Sequence, residues 1–281
     1  MFEITARKKL TDEVTFMSIR APRIAAKRKA GQFIMLRAHE DGERIPLTMV
    51  GGDVTAGTIN IIYQVVGRST REFDRLKVGD SFLDVVGPLG HATEIDNFGT
   101  VVCVGGGIGT APIYPIACAL KAKGNRLISI VGARSSRLLI LAEEMKALSD
   151  ECHITTDDGS VGRKGFVTDV LKEVLGREKV GVVFAIGPAI MMKFVCNLTK
   201  TFNTRTIVSL NAIMIDGTGM CGGCRVTVGN ETRFTCVDGP EFDGHAVNFD
   251  ELMKRLTMYT CQEKESVCRL EQAVAKDAHH G

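Results

Sequence analysis

The sequence has almost no excess of charge of one sign. Its 281 residues include 35 lysines and arginines against 33 aspartates and glutamates, which gives a formal net charge of +2. Because positive and negative charges are nearly equal in number, the protein has no general electrostatic attraction to nucleic acid or to an anionic membrane surface. We therefore expect neither a nucleic-acid partner nor a membrane partner. The composition, 44% apolar and 24% charged, is that of an ordinary globular protein.

The sequence also lacks a long apolar run. The run from Val180 to Met192 is shorter than the roughly 20 residues that span a bilayer, and Gly187 and Pro188 interrupt it. The segment from Met1 to Lys9 has no apolar core of an export signal. We therefore expect a cytoplasmic protein. In a reducing compartment, its nine cysteines indicate metal ligation rather than a disulfide framework.

Three cysteines and an aspartate lie in one glycine-rich segment. Asp216-Gly-Thr-Gly-Met-Cys221-Gly-Gly-Cys224 is followed by Cys236. A plant-type [2Fe-2S] loop has the spacing C-x₄-C-x₂-C with a more distant fourth cysteine, and here Asp216 occupies the first of these positions. The glycines of the segment can adopt positive φ and turn backbone N–H groups toward bridging sulfides. The pattern predicts a [2Fe-2S] cluster bound by Asp216, Cys221, Cys224 and Cys236.

The same residue types also suit zinc. A Cys-x-x-Cys pair with a distant third cysteine is common in zinc sites, and Asp216, His245, Cys261 or Cys268 could supply the fourth ligand. The glycine-rich spacing favours the iron–sulfur interpretation, with zinc as the main alternative.

Residues 1–98 have the features of a small antiparallel β-barrel. The predicted strands are Phe2–Thr5, Val14–Ile19, Gln32–Arg37, Thr58–Val66 and Ser81–Val86. Two other segments, Arg44-Ile-Pro-Leu-Thr48 and Ile62-Tyr-Gln-Val-Val-Gly67-Arg-Ser-Thr70, combine a guanidinium, hydroxyls and a glycine turn. Such groups bind phosphate oxygens, although either segment alone is equally compatible with an ordinary strand end.

Residues 99–209 alternate between predicted strands and helices. The apolar strand Thr100–Val104 runs directly into Gly105-Gly-Gly-Ile-Gly109-Thr-Ala-Pro112, and a helix follows from Ile113 to Lys123. A strand, a glycine turn and a helix N-terminus form a binding site for a pyrophosphate, although Pro112 replaces the last glycine of the dinucleotide fingerprint. The further predicted elements are strands at Leu127–Val131, His153–Thr155 and Val180–Ile186, and helices at Leu138–Ser149 and Val167–Leu175. This order indicates a parallel sheet.

In an open parallel sheet the ligand lies beyond the carboxyl ends of the strands. This rule indicates the segments Gly105–Pro112, Gly132–Arg134, Asp157–Gly159 and Gly187–Pro188. Arg134 and Arg137 follow the second strand, where an arginine suits the 2′-phosphate of NADP and a carboxylate the ribose of NAD. These residues alone favour NADP(H).

The remaining residues contain the predicted cluster segment and a hairpin. The strands Arg225–Val228 and Thr232–Thr235, joined by a turn at Gly229-Asn230, would return Cys236 to Cys224. Two helices are predicted beyond it, Phe249–Met258 and Glu263–Ala275.

Together, Arg44-x-Pro-Leu-Thr48, the Gly105–Pro112 turn and the cluster segment resemble the ferredoxin-NADP reductase superfamily. Within it, the chain looks like the electron-transfer subunits of bacterial dihydroorotate dehydrogenase. It is most similar to the small subunits of the electron-bifurcating NADH-dependent reduced ferredoxin:NADP oxidoreductases, also described as sulfide dehydrogenase subunits, which have Asp in the first ligand position. The resemblance implies an FAD-binding barrel at 1–98, a doubly wound dinucleotide domain at 99–209, and a [2Fe-2S] domain with a helical tail at 210–281.

The resemblance also implies roles for individual residues. Arg44 would bind the FAD pyrophosphate, and the Thr48 hydroxyl would lie near flavin N5 as the catalytic group. The other implied FAD-binding residues are Pro46, Leu47, Ile62, Tyr63, Gln64, Gly67, Ser69 and Thr70. The implied dinucleotide-binding residues are Gly107, Gly109, Thr110, Asp157, Asp158 and Gly187, to which the residue analysis adds Arg134.

The function implied is hydride exchange between NAD(H) and FAD, followed by single-electron transfer through the cluster to a larger flavin and iron–sulfur partner subunit, and through it to ferredoxin. FAD is needed because a nicotinamide moves two electrons at once and an iron–sulfur cluster accepts one. Three alternatives stay open: a dihydroorotate dehydrogenase subunit, a self-sufficient reductase, and a zinc-stabilised module that senses a dinucleotide without redox chemistry. The resemblance favours NAD(H), whereas the arginines favour NADP(H).

Overall fold

A computed structural model describes residues 2–280, apart from the side chains of residues 273 and 276–280. The strands are β1 (Phe2–Lys9), β2 (Val14–Arg20), β3 (Phe33–Arg37), β4 (Ile45–Asp53), β5 (Thr58–Gln64), β6 (Ser81–Phe82), β7 (Asp84–Leu89), β8 (Thr100–Gly106), β9 (Arg126–Ala133), β10 (Glu151–Thr156), β11 (Arg163–Lys164), β12 (Val182–Ile186), β13 (Thr206–Ser209), β14 (Arg225–Val228), β15 (Glu231–Phe234) and β16 (Glu241–Asp243). The helices are α1 (Pro22–Ala25), α2 (Arg68–Arg75), α3 (Thr110–Ala122), α4 (Ala142–Leu148), α5 (Val167–Arg177), α6 (Ala189–Thr201), α7 (Thr235–Asp238), α8 (Phe249–Leu256) and α9 (Thr260–His280).

The first sheet is a nearly closed antiparallel barrel with the strand order β6-β1-β2-β5-β4-β3-β7. Its two edge strands, β6 and β7, are separated only by Leu83, so they are consecutive pieces of one segment and the sheet closes on itself. Ile34 and Leu36 of β3 point into the barrel with Tyr63 of β5. Closure protects the backbone groups that an open edge would expose.

The second sheet has the order β11-β10-β9-β8-β12-β13-β16, and its strands are parallel except for β16. The chain builds outward from β8 through β9 to β10 and then crosses back to add β12 on the other side of β8. The direction of winding therefore reverses between β8 and β12. In sheets of this type the ligand crevice lies at such a reversal, at the carboxyl ends of the strands.

Helices cover both faces of the parallel sheet. Val102 and Val104 of β8 belong to the core that contains α5 and α6, whereas Val101 and Cys103 belong to the core that contains α3 and α4. Because both faces are buried, β8 is apolar at consecutive positions rather than at alternate ones.

The last part of the chain contacts both sheets. The hairpin β14–β15 turns at Gly229 and Asn230, whose φ angles are 57° and 68°. β16 then pairs antiparallel with β13, and α8 packs on α6. α9 lies against α2 beside the barrel, where Arg71 forms an ion pair with Glu271 at 3.0 Å.

The predicted fold class, a β-barrel followed by a doubly wound sheet and a small C-terminal part, is confirmed. Several elements were not predicted: residues 45–48 of the Arg-x-Pro-Leu-Thr segment form the start of the long strand β4 rather than a turn, and α2, α6 and β13 were missed. α2 is rich in charged and hydroxyl residues and has no apolar stripe, and α6 follows a Gly-Pro pair that marks a strand end equally well. The domain boundaries at residues 98 and 209 stay predictions. No helix within residues 2–280 is long and apolar enough to cross a membrane.

Candidate redox site

The predicted cluster loop folds around the Asp216 carboxylate. Its Oδ1 accepts the backbone N–H of Thr218 at 2.9 Å, and its Oδ2 accepts that of Cys221 at 3.0 Å. The bond from Thr218 is the main reason that the pKa of Asp216 is lowered. Gly217 and Gly219 have φ angles of 77° and 86°, which other residues rarely adopt. The loop therefore fixes the orientation of the Asp216 carboxylate by two backbone hydrogen bonds.

Two of the predicted thiols meet in the interior. The β14–β15 hairpin brings the Sγ atoms of Cys224 and Cys236, both buried, to 3.2 Å from each other. Thr235 holds this arrangement by donating its hydroxyl to the Cys224 carbonyl at 2.9 Å. Burial raises the pKa of Cys236 to about 12. Cys221 differs because it is exposed, and its Sγ accepts the N–H of Gly223 at 3.4 Å.

This donor set is compatible with a diiron cluster. Such a cluster takes two pairs of ligands, and the loop offers a buried pair, Cys224 and Cys236, and an outer pair, Asp216 and Cys221. In the described part of the chain, no three His, Cys, Asp or Glu side chains are close enough to hold a single metal ion. The alternative zinc ligand His245 is hydrogen-bonded to Thr199 at 2.9 Å.

The predicted FAD segment lies on the outer face of the barrel. Thr48 pairs with Phe33 across β3 and β4, and Pro46 pairs with Met35. Directly paired residues of neighbouring strands share a face. Phe33 and Met35 belong to the core shared with the parallel sheet and with Cys224. Thr48 and Pro46 therefore face the rest of the molecule, whereas Leu47, between them, packs with the barrel core.

The cluster loop rests on that same face. A Cβ atom on Gly217 would lie 2.6 Å from Met35 Cγ and 3.0 Å from Leu89 Cδ1, so only glycine fits there. Met35 is the cross-strand partner of Pro46, and Leu89 pairs with Phe33, the partner of Thr48. The cluster loop and the FAD segment thus meet on one barrel surface.

Two anionic oxygens occupy the polar end of the FAD segment. Arg44 Nη2 lies 3.0 Å from Asp84 Oδ2, and hydrogen bonding from Arg44 is the main reason that the pKa of Asp84 is lowered. Ser69, in the first turn of α2, donates its hydroxyl to Glu43 Oε2 at 3.0 Å. The exposed Arg44 guanidinium and the Ser69 hydroxyl already bind carboxylates, and groups of this kind bind phosphate oxygens in the same way.

The side chains of other predicted FAD residues form hydrogen bonds or packing contacts within the protein. The Thr70 hydroxyl accepts the N–H of Gly67 at 3.1 Å and donates to the Gly67 carbonyl at 3.1 Å, so it caps α2. Gln64 donates to Glu13 at 2.9 Å on the barrel exterior. Ile62 is buried where the barrel packs on Ala111 of α3.

Tyr63 corrects one of the predictions. Its side chain is 1% exposed and packs edge-on against Phe73, with ring centroids 6.1 Å apart. The strand alternation that turns Ile62 outward turns Tyr63 into the barrel. Its phenol is therefore unavailable to an isoalloxazine or a ribose at the barrel surface, contrary to the prediction.

The glycine turn after β8 lies at the reversal of the parallel sheet. Gly107 has a φ of 55° and open space where a Cβ would be, whereas a Cβ on Gly109 would lie 2.3 Å from the Ile186 carbonyl oxygen. The Thr110 hydroxyl is buried and has no hydrogen-bond partner within the described residues. The turn thus packs tightly against β12 on one side and is open at Gly107.

The remaining predicted dinucleotide residues lie along the same edge. Arg134 is exposed after β9, and its carbonyl accepts the N–H of Asp158 at 3.2 Å. The Asp158 carboxylate accepts the Ser160 hydroxyl at 2.6 Å, and this bond is the main reason that the pKa of Asp158 is lowered. Asp157 is exposed beside it. Gly187 ends β12.

Several neighbours of these residues were missed from the sequence. Met191 lies over Gly106 and Gly187. A Cβ on Gly106 would be 2.3 Å from Met191 Sδ, and a Cβ on Gly187 would be 2.7 Å from Met191 Cε. Asp84 and Glu43 contact Arg44 and Ser69, as described above. A helical Met and single carboxylates have no sequence signal that distinguishes them from ordinary surface and core residues.

The barrel, the doubly wound sheet and the thiol-bearing loop define a ferredoxin reductase-like oxidoreductase with an iron–sulfur domain. Residues 103–197 match the oxidoreductase NAD-binding domain family. Residues 211–248 match the iron-sulfur cluster binding domain of dihydroorotate dehydrogenase B.

The chain belongs to the family of dihydroorotate dehydrogenase B electron transfer subunits. It is 47% identical over 264 residues to the "Dihydroorotate dehydrogenase B (NAD(+)), electron transfer subunit homolog" of Thermotoga maritima, a match that covers 94% of this chain and 93% of the relative. It is 36% identical over 227 residues to the corresponding electron transfer subunit of Listeria monocytogenes, covering 78% and 87%.

Solved structures agree with this assignment. A chain from a study of flavin-based electron bifurcation by NADH-dependent reduced ferredoxin-NADP oxidoreductase superposes with a TM-score of 0.91 at 46% identity, covering 96% of this chain and 98% of that one. The Amycolatopsis cytochrome P450 reductase GcoB shares the fold, with a TM-score of 0.61 at 21% identity over 72% of this chain and 65% of that one. The protein is therefore an electron-transfer subunit related to both dihydroorotate dehydrogenase B and bifurcating oxidoreductases.

Proposed function

We propose that this chain exchanges hydride between NAD(H) and FAD and passes single electrons through a [2Fe-2S] cluster to a larger flavin and iron–sulfur partner subunit. The observation that carries this proposal is the contact of Gly217 with Met35 and Leu89. It puts the cluster loop on the barrel face that bears Thr48, so the two proposed cofactor sites adjoin. The bound groups would supply conversion between two-electron and one-electron transfer.

The proposed FAD site uses both ends of this barrel face. Arg44 and the first turn of α2, with Gly67 and Ser69, bind the phosphates in place of Asp84 and Glu43. Thr48 and Pro46, on the outer barrel face, would contact the flavin, with the Thr48 hydroxyl as the group nearest its N5. Leu47 and Tyr63 support the site from within the barrel.

The proposed dinucleotide site is the crevice between β8 and β12. Gly107 admits the pyrophosphate to backbone N–H groups at the start of α3, and the unpartnered Thr110 hydroxyl gains an oxygen partner. Gly109 packs closely on Ile186 and Gly187 at the crevice, and the exposed Arg134 and Asp157 would contact the adenosine half of the dinucleotide. We propose NAD(H) as the dinucleotide, because the name of the Thermotoga maritima relative specifies NAD(+).

The proposed complex is of the electron-bifurcating ferredoxin:NADP transhydrogenase type, since Asp216 stands in the first ligand position. The alternative, a dihydroorotate dehydrogenase, is favoured by the family itself. The partner that co-purifies distinguishes them. Activity of that complex with reduced ferredoxin and NADP supports the first, and activity with dihydroorotate supports the second.

The test of the cofactor assignment is an anaerobic ultraviolet–visible spectrum with iron, zinc and flavin quantified on the same sample. We expect flavin bands over a broad iron–sulfur absorption, with about one FAD and about two irons per chain. Cys221→Ser removes an exposed ligand and should lose the iron–sulfur absorption, whereas Cys261→Ser, an exposed thiol on α9, should keep it. A colourless protein that holds zinc, and that takes up no added FAD, would refute the proposal.

A further inference from the structure

A carboxyl group outside the proposed ligand set lies where the barrel, the linker after β7 and the parallel sheet meet. Glu241 is the first residue of β16 and pairs with Ser209 of β13. Its Oε1 accepts the Thr93 hydroxyl at 2.7 Å. A Cβ on Gly31, just before β3, would lie 2.9 Å from the same Oε1 and 2.2 Å from Thr93 Oγ1. Three segments that are distant in sequence therefore enclose one carboxyl group.

In the part of the chain that the structure describes, no cation balances the charge of this carboxyl group. Within the described residues, no cation lies within ion-pair distance of Glu241, and its side chain has the single hydrogen bond from Thr93. Burial raises the pKa of the Cys103 thiol of β8, and the charge of Glu241, which is near enough to act on this thiol, raises that pKa further. The neighbouring carboxylate Glu94 is paired with Arg205 at 2.7 Å. Burial raises the pKa of Glu241 to about 7.

Glu241 lies on the barrel face that carries the proposed redox site. Gly31 precedes Phe33, the cross-strand partner of Thr48. A Cβ on Gly90 would lie 2.8 Å from Pro240 Cδ and 2.9 Å from Phe33 Cε1, so the residue before Glu241 packs directly on this face. Gly217 of the cluster loop covers the same face at Met35 and Leu89. The Pro240–Glu241 segment and the cluster loop thus pack on the same face of the barrel.

An electron added to such a site is a new negative charge in a region of low dielectric. A nearby carboxylate without a cation then becomes a stronger base, because protonation removes the repulsion between two like charges. We propose that Glu241 is a redox-linked proton site, which binds one proton when an electron is added to the neighbouring cofactors and releases it when that electron leaves. The proton comes from solvent and returns to it, and only the carboxyl O–H bond forms and breaks. This inference rests on the proposed function.

The test compares the cofactor-loaded wild type with Glu241→Gln, which keeps the shape of the side chain and removes its titration. Redox-difference infrared spectra should show a protonated-carboxyl band that appears on reduction of the wild type and is absent from Glu241→Gln. The midpoint potential of the cluster should fall with rising pH around pH 7 in the wild type and should depend much less on pH in Glu241→Gln. Glu94→Gln, an exposed carboxylate next to Thr93, is the matched control and should behave as the wild type.

Thr93→Val provides a second variant that keeps the carboxyl group. The Thr93 hydrogen bond lowers the pKa of Glu241, so its loss should move the bend in the potential–pH curve to higher pH. If the loaded wild type shows no redox-linked carboxyl band, or if Glu241→Gln keeps both the band and the pH dependence, this inference is wrong while the proposed function stands. If the purified chain takes up neither flavin nor iron, both are wrong.

Discussion

At the residue scale, Asp216 separates this loop from one with thiolates in every ligand position. Its two oxygens are held by the N–H groups of Thr218 and Cys221, so the carboxylate is oriented before any metal binds. An oxygen donor and a sulfur donor differ in how much electron density they give to iron, and the ligand set tunes the potential of a cluster.

We predict that Asp216→Cys shifts the midpoint potential of the cluster and leaves about two irons per chain. The physical reason is the exchange of an oxygen ligand for a sulfur ligand with the loop geometry retained. Redox titration followed by absorbance measures the shift. Cys268→Ser, an exposed thiol on α9, is the control that should not change the potential. An Asp216→Cys protein with unchanged potential would show that Asp216 is not a ligand.

A second prediction concerns the glycine turn. Gly109→Ala would put a Cβ 2.3 Å from the Ile186 carbonyl oxygen and 2.7 Å from Gly187 Cα, so the turn must move away from β12. We expect NADH binding to weaken by about tenfold or more, corresponding to about 1.4 kcal/mol of lost binding free energy. Isothermal titration calorimetry measures this.

The matched control for Gly109→Ala is Gly176→Ala in α5. A Cβ there meets nothing within 4 Å, and alanine is favoured over glycine in a helix by up to about 1 kcal/mol. It should bind NADH normally and unfold at a slightly higher temperature. Equal NADH affinity in both variants would count against the proposed dinucleotide crevice.

At the element scale, the β14–β15 hairpin assembles the buried thiol pair. Its turn needs two consecutive residues of positive φ, Gly229 and Asn230. Turns of this kind match the twist of the flanking strands and set their register. The register in turn determines whether Cys236 reaches Cys224.

We predict that Asn230→Ala lowers the free energy of unfolding by about 1 kcal/mol, because alanine tolerates the left-handed conformation less well than asparagine. Asn230→Gly should be neutral or slightly stabilising. Chemical denaturation of the two variants, with iron content measured at each denaturant concentration, provides the comparison. Loss of iron from both variants at the same denaturant concentration as from the wild type would show that the hairpin is not the element that holds the cluster.

At the scale of the whole molecule, the C-terminal residues join the other parts. β16 extends the parallel sheet, Gly217 packs on the barrel, and α9 lies against α2. Glu241 lies at this junction, and its pKa of about 7 is well above the ordinary value for a glutamate.

The raised pKa predicts how stability depends on pH. The folded state holds the Glu241 proton more tightly than the unfolded state, so stability falls as pH rises from the ordinary glutamate pKa through about 7. Glu241→Gln cannot ionise and should lose less stability over this range. Thermal unfolding at pH steps from 5 to 8 measures the difference, with Glu94→Gln as the control. Parallel curves for wild type and Glu241→Gln would contradict the raised pKa.

The sequence could predict site residues that form local motifs, but not the direction in which a single side chain points. The ligand spacing around Cys221 and the Gly107 turn were visible as motifs, because their chemistry depends on neighbours in sequence. Tyr63 was misassigned because the direction of a strand residue depends on which face of the barrel is closed. Thr70 was predicted as a cofactor residue, but its hydroxyl caps α2, a helix without a sequence signal.

The sequence by itself determined the order of the three parts, the alternation that makes the second sheet parallel, and the four proposed ligands of the cluster. These follow from local patterns of apolar residues, glycines and cysteines. Only the tertiary structure decided that Gly217 meets Met35, that Asp84 pairs with Arg44, and that Glu241 is enclosed with Thr93 and Gly31. Such contacts join residues far apart in the chain, and they depend on strand register and packing that no local pattern encodes.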